Sequence, residues 1–123
     1  ILKTDSTPLW AKHFGGEREL TAGALATAID GSITITGAAN STVDFGGGPL
    51  LGGGIYAARF EPQGALRWQR NYAGPGNAGG LAVAVDSNQF VLLGGDFADT
   101  LDLGGGKVQA VGDFDAYLIK LTP

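Results

Sequence analysis

The chain states one pattern twice. LWAKHFGG around Trp10 returns as LRWQRNYAG around Trp68, and ALATAIDGSITITG (24–37) returns as LAVAVDSNQFVLLGG (81–95). VDFGGG (43–48) returns as LDLGGG (101–106), and IYAARFEP (55–62) returns as AYLIKLTP (116–123). Trp68 follows Trp10 by 58 positions, and Asp102 follows Asp44 by the same 58. A repeat of this length is one supersecondary unit that cannot bury its apolar side alone, so a stacked or radial array is expected.

Each repeat divides into four strand-like runs separated by turn residues. A small apolar run (Ala22 to Ile29, then Gly80 to Val85) precedes a β-branched run (Ser32 to Ala38, then Gln89 to Gly94). A third run is Ile55 to Phe60, matched by Ala116 to Leu121, and a Trp-bearing run is Leu66 to Tyr72, matched by Leu9 to Phe14. Period-two alternation in LAVAV and the absence of a helical stretch argue for an all-β fold. Four antiparallel strands per repeat suggest β-propeller blades. The Ala/Gly run would lie innermost, where blades converge, and the Trp run outermost, where they splay. The expectation is a single module over 1–123: an outer strand at 9–14, a first full blade at about 22–72, and a second at about 80–121 without its outer strand.

In such a partial propeller one strand is in excess at the start and one is missing at the finish. Either copies assemble head to tail, each lending its first strand to a neighbour, or further blades of a longer chain complete the ring. The first arrangement predicts a homo-oligomer with an even blade number. Exposed sheet faces and edges favour association in either case.

Composition narrows the partners. Gly contributes 22 of 123 residues, but 44% hydrophobic residues argue against disorder. A net charge of −4 with no basic cluster removes the electrostatic basis of nucleic-acid binding. Cysteine is absent, which excludes disulfides. No apolar run approaches the roughly 20 residues of a membrane-spanning helix. Ile1 leaves room for a processed or excerpted chain.

The segments W-x-x-x-F-G-G (Trp10, Phe14, Gly15, Gly16), the Asp30 to Gly37 turn and strand, D-F-G-G-G at Asp44 to Gly48 and D-A-Y-L-I-K-L at Asp115 to Leu121 resemble the bacterial β-propeller repeat of the SBBP type. About two copies cover nearly the whole chain. Gly54-Ile55-Tyr56, Arg59 and Ala73 depart from the pattern. The resemblance implies a propeller fold and a secreted or cell-surface bacterial setting, and it implies no defined activity.

Several groups invite a chemical reading. Gly74 to Gly79 matches G-x-G-x-x-G, but the β-like LAVAV follows it where a dinucleotide site needs a helix. Asp96, Asp99 and Asp102 are weak calcium candidates; they lack the Asp-x-Asp-x-Asp-Gly spacing, and turn capping explains them more simply. Two such carboxylates could form a glycosidase pair only at a separation that sequence does not supply. His13 is the only histidine and reads as a half-exposed strand residue. Trp10 and Trp68 could stack on sugars, but equivalent positions in the repeat favour core packing. Asn40-Ser41-Thr42 is a glycosylation sequon. The poly-Gly turns read as structural.

Longer connections should cluster at one end of the strands, where binding residues are commonly presented. The candidate interaction residues there are Glu17, Arg18, Asn40, Asp44, Asn77, Asp96, Asp99, Lys107 and Asp113. The expected function is a non-catalytic scaffold or interaction module, with no cofactor and no catalytic residue. The alternative is a ligand- or glycan-binding, lectin-like propeller using those loops; a hydrolase is a more distant reading.

Overall fold

The computed structural model describes residues 6–15, 18–74 and 78–123. Among them are nine strands and no helix, hence none long and apolar enough to cross a membrane. Sheet one joins β1 (Leu20–Thr27), β2 (Ile33–Ala39), β3 (Gly54–Phe60) and β4 (Leu66–Tyr72) in chain order, all antiparallel. Sheet two joins β5 (Ala78–Val85), β6 (Val91–Phe97) and β9 (Asp115–Leu121). Between β6 and β9 the chain makes a hairpin of β7 (Thr100–Asp102) and β8 (Lys107–Gln109). That hairpin occupies a stretch expected to be loop. Its first-repeat counterpart is reduced to a single bridge between Val43 and Leu50.

The two sheets pack face to face around one core. Ile55 and Ala57 of β3 meet Val91, Leu93 and Phe97 of β6, Leu101 of β7, and Tyr117 and Ile119 of β9. The far side of sheet one carries a second core, where Tyr56, Ala58 and Phe60 pack on Val43, Phe45 and Phe14. Strand β3 is therefore buried on both faces, which explains its unbroken apolar run with one arginine. The sheets come closest through β1 and β5. A side-chain carbon at Gly23 would collide with the carbonyl of Gly80, so small residues are required at this seam.

One detail confirms that the repeats are equivalent in space. Tyr56 lies opposite Gly37 and donates to the Thr21 carbonyl at 2.9 Å. Tyr117 lies opposite Gly95 and donates to the Gly79 carbonyl at 2.9 Å. Each glycine leaves room for the ring that crosses it.

Burial pushes the phenols of Tyr56, Tyr72 and Tyr117 up, and Asp96 helps bring Tyr117 to about 12. An unfolded tyrosine ionises near 10.0 while the folded one keeps its proton, so the folded state binds more protons in this window. Stability is expected to be full below the unfolded value and to fall as pH rises from about 10 toward about 12. Urea midpoints taken across that interval check this, and a flat profile would contradict it.

Leu9–Phe14 corrects an expectation: it forms no ladder and is not a strand. A strand needs a hydrogen-bonded neighbour, and among the described residues this segment has none. Its side chains nevertheless alternate. The Trp10 Nε1 donates to the Pro62 carbonyl at 3.0 Å, Lys12 lies over the Phe60 ring, and Phe14 packs on Phe45 and Phe60. Leu9 to His13 are all exposed and Phe14 is half-buried, so it is the contacts rather than the exposure that alternate.

Candidate interaction surface

Arg59 is fully buried and ties the sheets together. Its Nη1 donates to the Gln89 carbonyl at 2.9 Å and its Nη2 to Gln89 Oε1 at 2.7 Å, across the seam. Its Nε and Nη2 also donate to Ser32 Oγ at 3.2 and 3.0 Å. Ser32 in turn donates to Asp30 Oδ1 at 2.6 Å, and Arg67 joins Asp30 to Glu61 at 3.1 and 2.5 Å. Burial, with repulsion from Arg67, lowers the Arg59 pKa against the pull of Asp30 and Glu61. The hydrogen bonds from Ser32 hold the Asp30 carboxyl far below its ordinary range. A guanidinium keeps its charge under such shifts, so a buried cation sits at the joint with its donors directed. The only sequence signal for this latch was a lone arginine in an apolar run.

The equivalent position in sheet two is Lys120, and it is exposed. Its neighbours on the same face are exposed as well. Leu118 is 75% accessible, whereas its counterpart Ala57 is 0% accessible beneath sheet two. An apolar depression lined by Ala82, Ala84, Leu92, Gly94 and Leu118 lies on this outer face. At the opposite end of the molecule, Leu25 is 66% accessible, although its counterpart Val83 packs into the inter-sheet core. Apolar side chains are therefore exposed at each end of the pair of sheets, Leu118 at one and Leu25 at the other.

The sheet-two face also has an open edge. β4 covers the outer edge of β3, but among the described residues no strand pairs with the outer edge of β9. Beside that edge Trp68, Arg70, Leu121, Thr122 and Pro123 line a cleft of about 80 Å³. The Trp68 Nε1 is buried there without an acceptor among the described residues. Buried donors are normally paired, so this orphan stands out.

The loop candidates form no comparable site. Glu17 and Asn77 lie outside the described residues. Arg18, Asn40, Asp44, Asp99, Lys107 and Asp113 are exposed, and Asp96 is half-buried at the end of β6. Among the described residues no three carboxylate or imidazole groups come together to hold a metal ion, so Asp96, Asp99 and Asp102 do not converge. Carboxylates instead close turns: Asp44 accepts from the Gly46 and Gly48 amides, Asp102 from Gly104 and Gly106, and Asp86 from Asn88 and Phe90. Asp115 does the same for Val111 and Gly112, whose amides lower its pKa. Part of the Gly74–Gly79 motif falls at 75–77, outside the described residues, and its last two residues already belong to strand β5 rather than to a helix. His13 is exposed, beside Lys12, Asp44 and Phe45, and lies outside any strand. Trp68 packs against the inter-sheet core as expected, whereas Trp10 stays 36% accessible beside Pro62 and Gly64.

No family model, curated protein or solved structure matches this chain.

Proposed function

We infer that this chain is a non-catalytic β-propeller module in which each sheet is a blade and copies join head to tail into a closed ring. The observation that carries this reading is the placement of Trp10, Lys12 and Phe14. They lie against sheet one as Trp68, Arg70 and Tyr72 of β4 lie toward sheet two. That likeness supports reading the segment as the outer strand of a blade whose inner strands come from another copy. The glycine-lined seam between β1 and β5 fits the inner rim of a propeller, and the open apolar faces fit consecutive blades. The resemblance to a bacterial surface repeat supports an extracellular scaffold role. Ring closure with an even blade number calls for about two to four copies, within the usual four to eight blades. Light scattering or sedimentation should therefore return a defined multiple of 12.5 kDa. A stable monomer would overturn the ring.

A further inference from the structure

Resting on that reading, we propose that the open edge of β9 is completed by Leu9–Phe14 of a second copy, in one register: Trp10 opposite Lys120, Lys12 opposite Leu118, and Phe14 opposite Ala116. The template lies within the chain. In sheet one β3 pairs with β4 so that Arg59 faces Trp68, Ala57 faces Arg70 and Ile55 faces Tyr72. Lys120, Leu118 and Ala116 are the counterparts of the β3 residues, as the shared Tyr–Gly pairings of β3 and β9 establish. Trp10, Lys12 and Phe14 are the counterparts of the β4 residues by the offset of 58. In both pairings a cation lies opposite the Trp.

Three further observations fit this occupant. The segment already alternates with period two while anchored on its own sheet one, so joining a neighbour requires no refolding. Ser6 has a φ of 61°, in the left-handed region, and its counterpart Gly64 has a φ of 97°. Gly64 lies within 3.1 Å of the Trp10 ring (measured from the position a side chain would take), in the turn that leads into β4. The backbone bend that introduces an outer strand is therefore present ahead of Leu9. Finally, the turn packed on Trp10 supplies the Pro62 carbonyl to its indole N–H. The cleft over Trp68 is the matching seat, and its indole N–H awaits a carbonyl. Docking would bring Leu118 of one copy against Leu25 of the next, as Ala57 and Val83 already share the inter-sheet core.

The chain has no cysteine, so a disulfide can report the register. Lys12 and Leu118 are both exposed; K12C gives up the contact over Phe60 but keeps the Trp10 and Phe14 anchors. Under mild oxidation at low concentration, full-length K12C/L118C should form covalent multimers. A11C/L118C should form about tenfold fewer, because a shift of one residue places the thiols on opposite faces. The solution mass of the untreated protein is measured alongside. Assembly without cross-links, or with equal cross-links in both variants, overturns the register and leaves the ring standing. A disulfide confined within one chain overturns the exchange between copies. A monomer without cross-links overturns both proposals.

Discussion

Replacing Arg59 with alanine should destabilise the fold by about 3–5 kcal/mol, the usual cost of removing one member of a buried polar network and orphaning the others. The change strands the carbonyl and amide oxygen of Gln89 at the joint and removes two bonds to Ser32. It also empties the volume of a fully buried side chain. For a chain of this size such a loss lowers the melting temperature by roughly 15 °C or more. Urea denaturation followed by tryptophan fluorescence measures it directly. Arg59→Lys should recover part of the loss, since an ammonium cannot reach Ser32 and both Gln89 oxygens with the guanidinium's fixed fork. A midpoint for R59A close to that of the parent would show that the latch is ornamental.

Gly80→Ala should be nearly as damaging, at about 3 kcal/mol, through overpacking. The added carbon would fall onto Thr36 Oγ1 and lie 2.9 Å from the Gly37 nitrogen. Thr36 is held by its own hydrogen bond to the Tyr56 carbonyl at 2.8 Å, and Gly37 is in the β2 ladder, so neither yields cheaply. Relief would come only by parting the sheets where they approach most closely. Gly105→Ala is the matched control. A side chain there meets nothing within 4 Å, and its effect should stay within about 0.5 kcal/mol. Equal losses at positions 80 and 105 would point to backbone strain rather than crowding at the seam, because alanine for glycine lowers the entropy of the unfolded chain.

Much of this architecture could be read from the repeat. Seven strands fall where the alternation and turn residues place them, and the Gly/Ala runs do lie at the closest approach of the sheets. What escaped was mainly what depends on a partner distant in sequence. Leu9–Phe14 has the composition and alternation of a strand, but a ladder is a relation between two segments and no local pattern supplies the second. The β7–β8 hairpin escaped because its strands are three residues each, too short for a periodic signal. In the sequence Arg59 is visible only as a departure from the repeat pattern. Its role depends on Gln89, which adopts a left-handed backbone with a φ of 71° where the first repeat has Gly31. The interaction surface was legible in outline, from the unequal strand count. The long-loop residues drew attention as candidates, but many of the nearby carboxylates are engaged in closing turns.

The strand order has a kinetic consequence. Every ladder of sheet one joins strands adjacent in the chain, and sheet two departs from that rule only by the β7–β8 excursion. Pairing strands adjacent in the chain makes such meanders quicker to close than contacts between distant segments. The seam is different: β1 meets β5, and Arg59 reaches Gln89, across long stretches of chain. Two sheets that zip independently and dock afterwards place the seam on the native side of the folding barrier. Damage there should therefore shorten the lifetime of the folded molecule while leaving its rate of formation nearly unchanged.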